Sequence, residues 1–226
     1  EISLGLVGSE MCIRDSYVPI EGEETRAIQE LTREWVLEQD IKNFYDQQGI
    51  CHVVLPERGH LSPGMFCVGG DSHSPTGGAF GAYMFGIGAT EMAGVLATGE
   101  IWIKVPETIL IKWAGQTDAF VTAKDMMLAT CAKIGMGGGR YQAIQYAGEA
   151  IHKLNMQERM TMSNMAAELG AQAGLISPDE TTIEYLKSVN ASILDNWQNY
   201  QIEKPDPNGE VINLDASSLS PQIAAP

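Results

Sequence analysis

Between residues 23 and 48, apolar side chains recur at nearly helical spacing among many charged ones. This pattern predicts an amphipathic helix with a polar outer face, and Gly49 is placed to end it. The next apolar run, residues 50–55, is short and lies between Gly49 and Pro56, which predicts a buried strand. His52 would then lie inside an apolar core, where a histidine is more often a hydrogen-bonded core residue than a functional one.

The rest of the pattern alternates between apolar runs of strand length and segments with a helical period. Strands are predicted at residues 66–69, 101–105, 108–114, 141–146 and 211–214, and helices at residues 122–134, 161–173 and 181–187. Thr122, with Asp125 three residues later, resembles a capping box at the start of the first of these helices. Asn164 and Glu168 are four residues apart and would share one face of the second. Alternating strands and helices predict an α/β fold with at least two layers.

One stretch, residues 67–81, concentrates glycines and polar residues directly after a predicted strand. The strand would deliver Asp71, Ser72 and His73 to a turn, with a Gly- and Ala-rich helix packed closely behind it. An acid and an imidazole that are presented together on a loop are typical of a proton-transfer site. On spacing by itself, a buried turn whose aspartate caps the following helix fits equally well.

The composition of the 226-residue chain is that of a folded protein, with 44% apolar and 19% charged residues. The net charge of −15 disfavours a nucleic-acid partner and binding to an anionic membrane surface. The longest uncharged run, residues 74–90, is rich in glycine and polar residues, so no membrane span is predicted. The four cysteines show no Cys-x-x-Cys spacing, which favours a reduced, cytoplasmic setting.

Several segments, in order along the chain, resemble the aconitase superfamily. Gly-Gly-Asp-Ser-His-Ser-Pro-Thr at residues 69–76 is followed by Phe-Gly-Ile-Gly-Ala-Thr-Glu at residues 85–91. Further matches are Met-Ser-Asn-Met-Ala-Ala-Glu at residues 162–168 and Leu-Asp-Ala-Ser at residues 214–217. Lys-Val-Pro-Glu-Thr at residues 104–108 is similar to the 3-isopropylmalate dehydratase large subunits of that superfamily. The resemblance implies layered α/β domains with mixed sheets flanked by helices.

The resemblance also implies a set of active-site residues. Four fall where the family keeps its active-site histidines and their carboxylate partners: His52, paired with Asp71, and His73, paired with Glu168. Ser72 falls at a substrate-contacting position, and Asn164 falls near the substrate and the metal cluster. His60 and His152 match nothing functional, and both are predicted to be surface residues.

The reaction of that family removes water from a hydroxy-dicarboxylate and adds it back on the neighbouring carbon. A [4Fe–4S] cluster, held by three cysteines, serves as the Lewis acid for the leaving hydroxyl. One of those cysteines is followed by Thr-Asn and two form a Cys-x-x-Cys, and neither pattern occurs in this sequence. We therefore expect this chain to supply no metal ligand, to use Cys51, Cys67 and Cys131 in core packing, and to be inactive by itself.

The resemblance implies a small hydroxy-dicarboxylate as substrate and the small subunit of a dehydratase as partner. The substrates of a homoaconitase, an aconitase and a methylmalate-type dehydratase are open alternatives. An aconitase-like binding module without a cluster is the alternative from another class. A nucleotide-binding α/β protein is disfavoured, because the glycine-rich stretch lacks a clean phosphate-binding motif. Because the net charge is −15, the cationic side chains that bind a dicarboxylate must be concentrated at the site itself or be supplied by polypeptide outside this sequence.

The resemblance also suggests how the chain is divided. Residues 17–116 are expected to be the later part of a first α/β domain, residues 117–200 a second α/β domain, and residues 201–226 a linker into a further segment. Residues 1–16 are expected to be a sequencing or assembly artefact, because residues 8–16 resemble translated adaptor sequence. On this interpretation the chain is an internal fragment of a hydro-lyase large subunit.

Overall fold

The computed structural model describes residues 22–201 and 209–225 and shows parallel sheets flanked by helices. The helices are α1 (Glu23–Glu38), α2 (Cys51–Glu57), α3 (Ala89–Thr98), α4 (Ala123–Ile134), α5 (Glu149–Lys153), α6 (Met156–Asn164) and α7 (Glu180–Ser188). The strands are β1 (Phe66–Gly69), β2 (Tyr83–Gly86), β3 (Thr108–Ala114), β4 (Ala143–Ala147), β5 (Ala173–Ile176) and β6 (Val211–Asp215), and 3₁₀ helices span Ser74–Phe80, Trp197–Tyr200 and Ala216–Ser218. The predicted α/β fold class is confirmed.

The larger sheet has the strand order β5-β4-β3-β6, and each of its pairings is parallel. β3 lies inside the sheet and has buried side chains on both faces, as parallel strands between helices require. Ile109 and Ile111 of β3 pair in register with Ile144 and Tyr146 of β4. With Trp113 and the methionines of α4, these residues form the main core cluster.

The smaller sheet pairs β1 with β2, and the 3₁₀ helix Ser74–Phe80 connects it to the larger sheet by packing against α6, β2 and β5. This packing brings backbone against backbone: a Cβ on Gly78 would lie 1.8 Å from the carbonyl oxygen of Gly174 in β5. Only a glycine allows such an approach. The contact fixes the turn that precedes the 3₁₀ helix relative to the larger sheet and α6.

Most of the predicted strands and two of the predicted helices are confirmed. The predictions at residues 66–69 and 108–114 match β1 and β3, and those at residues 141–146 and 211–214 are found, slightly shifted, as β4 and β6. α4 starts after Thr122, whose backbone N–H donates to the Asp125 carboxylate at 2.7 Å. α7 starts after its N-cap Asp179 and covers the predicted helix.

The strand predicted at residues 50–55 is wrong, because this run forms helix α2 and places His52 on a helix. The backbone N–H groups of Val53 and Val54 donate to the carbonyl of Ile50 and so start the helix. A short apolar run between a glycine and a proline does not distinguish a strand from a buried helix. Here the packing of α2 against a second core cluster decides between them.

The helix predicted at residues 161–173 is misplaced, because α6 begins after its N-cap Asn155 and ends at Asn164. The chain then turns, so Glu168 is not on a helix, and the prediction that Asn164 and Glu168 share one helical face is wrong. The start is set by a capping box in which the side chains of Asn155 and Glu158 each accept the other's backbone N–H.

Three further elements differ from their predictions. α1 ends at Glu38, ten residues before the predicted end. Residues 101–105 are not a strand: Trp102 is 98% exposed, and among the described residues no strand pairs with this segment. An apolar run becomes a strand only where a neighbour satisfies its backbone hydrogen bonds. The helix predicted after the Asp71 turn is instead a 3₁₀ helix followed by β2, and α3 begins only at Ala89.

The larger sheet contains β3, β4 and β6, which lie in three different predicted segments of the chain. The domain limits stay a prediction. The predicted artefact at residues 1–16 lies outside the described residues. Within residues 22–201 and 209–225, no helix is both long and apolar enough to cross a membrane.

Candidate active site

The candidate site is built on the turn that follows β1. The backbone N–H of His73 donates to the Asp71 carboxylate at 2.7 Å, and the Ser74 hydroxyl donates to the Asp71 carbonyl at 2.7 Å. Gly86 of β2 makes room for this turn, because a Cβ there would lie 2.5 Å from the Asp71 carbonyl oxygen. The turn is therefore locked by its own hydrogen bonds, as expected for an aspartate that stabilises a turn.

His52 approaches the same carboxylate from α2. Its Nδ1 lies 3.3 Å from Asp71 Oδ1, and the His52 side chain is 11% exposed. The contact is close but not aligned as a hydrogen bond, and Nδ1 has no other hydrogen-bond partner among the described residues. Although the sequence predicts a strand at residues 50–55, His52 reaches Asp71 from helix α2.

His73 lies between two carboxylates. Its Nε2 is 3.3 Å from Glu168 Oε1, its Nδ1 is 3.3 Å from Ser72 Oγ, and the same Nδ1 is 3.6 Å from Asp71 Oδ1. The ring centroids of His52 and His73 are 5.9 Å apart. The pairs that the resemblance implied, His52 with Asp71 and His73 with Glu168, are therefore within contact distance; we call the four residues the histidine cluster.

Asn164 and Thr76 form one wall beside the histidine cluster. Asn164 Nδ2 donates to Thr76 Oγ1 at 2.9 Å, and Thr76 Oγ1 donates to the His73 carbonyl at 2.7 Å. Because the amide nitrogen is engaged by Thr76, the Asn164 side-chain oxygen is left to accept from a ligand. The sequence reasoning identified Asn164 but missed Thr76, although Thr76 belongs to the segment that carries the resemblance.

A cleft of about 480 Å³ opens at this wall, lined by His52, Thr76, Asn164 and Glu168 among others. Lys124, at the start of α4, is the one lysine or arginine among the residues that line it. The sequence reasoning missed Lys124 as a site residue, and the available signal was its place in the Thr-Ala-Lys-Asp segment. A second cleft of about 370 Å³ is lined by Asp71 and Ser72 and by the loop that follows Glu168.

The described cysteines do not form a metal site. Cys51 is in the second core cluster, Cys67 packs against that cluster, and Cys131 packs against the main one. Burial raises the pKa of the Cys67 thiol to about 11, and burial, followed by the charge of Glu168, raises the pKa of the Cys131 thiol. No group of three or more His, Cys, Asp or Glu side chains in the described part of the chain could hold a metal ion. These residues do not fit an iron–sulfur cluster.

The family model for "Aconitase family (aconitate hydratase)" matches residues 12–226 of the chain. The chain belongs to the aconitase family. The histidine cluster therefore lies on an aconitase-family framework. The aconitase-family fold accounts for the meeting of the glycine-dense turn, α2 and the loop after α6.

Aconitase-family relatives cover nearly all of this chain. It is 43% identical over 216 residues to "3-isopropylmalate dehydratase large subunit 1" of Methanopyrus kandleri, covering 94% of this chain and 50% of the relative. It is also 43% identical over 216 residues to "Probable methanogen homoaconitase large subunit" of Methanosarcina mazei, covering 94% of this chain and 54% of the relative. The chain spans about half the length of the curated relatives it matches.

Proposed function

We propose that the protein containing this chain is a hydro-lyase that removes water from a hydroxy-dicarboxylate and adds it back on the neighbouring carbon. The observation that carries the proposal is the meeting of two histidine–carboxylate pairs, with 3.3 Å between Nδ1 of His52 and Asp71 and 3.3 Å between Nε2 of His73 and Glu168. His52 and Glu168, one member of each pair, line the same cleft. Relatives named as a dehydratase and a homoaconitase support this reaction class.

His52 and Asp71 are assigned to proton transfer. An ionised Asp71 beside Nδ1 favours the tautomer with its proton on that nitrogen, which leaves Nε2 of His52 as the acceptor. His52 lines the cleft, and Nε2 is the ring nitrogen that does not face Asp71. Dehydration breaks a C–H and a C–O bond and joins a proton to the leaving hydroxyl; Nε2 of His52 is the atom proposed to exchange a proton with the ligand.

His73 and Glu168 are assigned as a second pair that holds one proton. Glu168 Oε1 faces Nε2 of His73, while Ser72 Oγ and Asp71 face Nδ1 of the same ring. A carboxylate that faces Nε2 can accept the N–H of that nitrogen and so fixes the orientation of the ring. The pair is proposed to hold one proton while the substrate changes from hydroxy acid to unsaturated acid and back.

Ser72, Asn164 and Lys124 are assigned to substrate binding. Ser72 Oγ and the Asn164 amide oxygen can hydrogen-bond a carboxylate-bearing ligand. Lys124 supplies positive charge at a cleft that also carries carboxylates, in a chain whose net charge is −15. A lysine in this position attracts a dianionic substrate that the rest of the chain would repel.

The [4Fe–4S] cluster implied by the resemblance would supply a Lewis acid for the hydroxyl group. Because the described cysteines lie apart and in two cores, we propose that its cysteine ligands come from outside the described residues. A small subunit is the proposed partner, since the relatives are named large subunits. A cytoplasmic setting stays a prediction.

The substrate is proposed to be 3-isopropylmalate, with the homoaconitase substrate as the second candidate. Both kinds of relative are 43% identical to this chain over 216 residues, so identity does not separate them. An aconitase and a methylmalate-type dehydratase stay further alternatives. The residues that would distinguish substrates by their variable arm are not among those assigned above.

The proposal is tested with the gene product that contains this chain, co-expressed with its small subunit and loaded with its cluster without oxygen. Formation of the unsaturated di- or tricarboxylate from 3-isopropylmalate, homocitrate, citrate and methylmalate is followed by ultraviolet absorbance. We expect turnover of at least one of these acids, and we expect His52→Gln and Glu168→Gln to reduce kcat by about 100-fold or more.

His152→Gln is the matched control, because His152 is an exposed histidine that does not line the cleft, and its Nδ1 lies 3.7 Å from Asp179. It should keep nearly full activity. If both His52→Gln and Glu168→Gln keep the turnover of the parent enzyme, the assigned roles are wrong. A cluster-loaded protein that binds these acids tightly but dehydrates none of them would favour the binding-module alternative.

A further inference from the structure

Two buried polar atoms near the histidine cluster have complementary and unmet hydrogen-bonding needs. Glu168 Oε2, the carboxylate oxygen that does not face His73, is buried and accepts no hydrogen bond from any described residue. Tyr146 Oη is also buried and has no hydrogen-bond partner among the described residues. Buried polar groups are almost always hydrogen-bonded, so each orphaned atom requires an explanation. While Glu168 is ionised, its Oε2 can accept a hydrogen bond but cannot donate one, whereas the Tyr146 hydroxyl can donate one.

The main core cluster contains Tyr146 and residues close to Glu168 in sequence. Tyr146 lies on β4, is 1% exposed, and belongs to the main core cluster with Leu169. Met165 packs against the same cluster, so the residues on both sides of Glu168 contact the core that contains the Tyr146 ring. Cys131 of α4 packs there as well.

The electrostatics agree with this placement. Burial raises the pKa of Tyr146, and the charges of Cys131 and Glu168 add to that effect. The phenol therefore keeps its proton and remains a donor. Burial and then Glu168 also raise the pKa of Cys131, so its thiol remains neutral beside the same carboxylate.

We propose that Tyr146 is a positioning residue for Glu168: its hydroxyl donates to Oε2 through one buried water and so holds Oε1 toward His73. The consequence for catalysis rests on the proposed function, whereas the hydrogen bond itself does not. When a residue of the core holds one carboxylate oxygen by hydrogen bonding, the carboxylate cannot rotate away from the imidazole. The tyrosine also stabilises the ionised carboxylate in a partly buried place without adding a charge.

The first test compares the Glu168 carboxyl titration in the chain and in Tyr146→Phe. The protein is produced with glutamate labelled with ¹³C at the side-chain carboxyl, and the readout is the chemical shift of the Glu168 carboxyl. The Glu168 signal is identified as the one that is missing from the spectrum of Glu168→Gln. Loss of a donor to the charged form favours the neutral acid, so the titration midpoint should rise by about one pH unit. The titrating groups facing Glu168 are His73 and Cys131, with His52, Lys124 and Glu57 across the cleft, so the His73 ring protons are followed in the same samples.

Tyr45→Phe is the matched control. The Tyr45 hydroxyl hydrogen-bonds His60, which is not a member of the histidine cluster. We expect it to change His60 and to leave the Glu168 titration where it was. An unchanged Glu168 midpoint in Tyr146→Phe, with the amide spectrum still that of a folded chain, would overturn the proposal.

A double-mutant cycle tests the proposal even if the carboxyl signal cannot be followed. The unfolding equilibrium is measured in urea for the parent chain, Tyr146→Phe, Glu168→Gln and the double variant. A hydrogen bond predicts that the single effects on the unfolding constant are non-additive by about tenfold. Additivity within about twofold means that Tyr146 acts only through packing, which contradicts the proposal.

These readouts require neither substrate nor an iron–sulfur cluster. The proposed function and the positioning role of Tyr146 can therefore be disproved independently of each other. A confirmed hydrogen bond in a protein that dehydrates nothing would leave the positioning assignment standing and remove the proposed reaction. An active enzyme whose Glu168 does not respond to Tyr146→Phe would do the reverse.

Discussion

Two clusters of charged side chains, one that includes a residue of α6 and one that includes a residue of the loop after α6, differ in how completely they are hydrogen-bonded. One, here called the Arg159 cluster, consists of Arg159, Asp179 and Thr182 with the carbonyls of His152 and Leu154. The other is the histidine cluster. Both involve ion pairs, and both connect segments that are distant in sequence.

In the Arg159 cluster, the arginine is fully buried and each of its side-chain nitrogens donates. Nη1 and Nη2 reach the two oxygens of Asp179 at 2.6 and 2.8 Å, and Nε reaches the Leu154 carbonyl at 3.0 Å. Asp179 also caps α7 by accepting the Thr182 N–H at 3.3 Å. A bidentate pair with every donor used has one stable geometry.

The histidine cluster is only partly satisfied. His52 Nδ1 and Glu168 Oε2 are buried without a hydrogen bond to any described residue, and the side chains of His73 and Glu168 are more than a third exposed. Buried polar groups without a partner are rare, and a catalytic role or a bound water is among the explanations for them. The Arg159 cluster is thus fully hydrogen-bonded and the histidine cluster only partly so, which supports the role proposed for the histidine cluster.

The sharpest test of the comparison is Arg159→Met, which keeps the volume of the side chain but leaves Asp179 without its cation. We expect a loss of about 3–5 kcal/mol in the free energy of unfolding, because a largely buried carboxylate, 19% exposed, would lose its partner. Urea unfolding followed by circular dichroism measures it. Arg33→Met is the control: Arg33 pairs with Asp46 at 2.7 Å on the surface and should cost at most about 1 kcal/mol. Equal losses for the two variants would contradict the assignment.

The next effect concerns what holds the histidine cluster in place. Gly78→Ala would push the 3₁₀ helix from β5, since the added Cβ meets the Gly174 carbonyl at 1.8 Å. We expect about 1–3 kcal/mol of destabilisation and a changed His73 environment in NMR spectra. Gly94→Ala in α3 has open space around its Cβ and should be neutral or stabilising by up to about 1 kcal/mol. A well-folded Gly78→Ala with an unchanged His73 signal would show that this backbone contact does not position the site.

The Arg159 cluster should also appear in the acid unfolding of the chain. Burial by itself would raise the pKa of Asp179, but the hydrogen bonds and charge of Arg159 outweigh it and hold the pKa below its ordinary value of 3.8. The ion pair therefore stabilises the fold fully above pH 4, and this stabilisation is lost as the pH falls further toward the lowered value. Melting temperatures measured from pH 6 to pH 2 should fall more steeply for the parent chain than for Asp179→Asn. Parallel curves for the two would contradict this.

The smallest expected effect on stability is at the histidine cluster. Glu168→Gln keeps the shape of the side chain and removes a charge from a cluster that is not fully hydrogen-bonded. We expect a change of at most about 1.5 kcal/mol in urea unfolding. A loss as large as that of Arg159→Met would mean that Glu168 is chiefly structural, and the contrast between the two clusters would disappear.

The sequence predicted well where a local signal dictates local structure. β3 is an apolar run of strand composition, and α4 begins at a capping box whose side-chain contacts are observed as predicted. It predicted poorly where the signal is ambiguous or is overridden by packing. The apolar run at residues 50–55 fits a strand and a buried helix equally, and only its contacts with the second core cluster make it α2.

The candidate site divides in the same way. The residue types were readable from sequence, because the Asp-Ser-His turn is contiguous and the resemblance supplied the distant partners. The contacts were not readable: Thr76 and Lys124 were missed, and the reason given for placing Asn164 near Glu168, a shared helical face, was wrong. Tyr146 could not be found at all from its strand pattern, which predicts only a buried aromatic residue.

By itself, the sequence determined the α/β class, the glycine-dense turn that carries Asp71 and His73, and the family to which the chain is similar. These depend on short-range patterns of residue type, which the chain keeps whatever its tertiary structure. Tertiary structure decided that Glu168, 95 residues from His73, lies 3.3 Å from its ring, with one oxygen facing the histidine and the other turned inward. That meeting depends on the close packing of the 3₁₀ helix against β5 and α6, and no local pattern encodes a distance between segments so far apart in sequence.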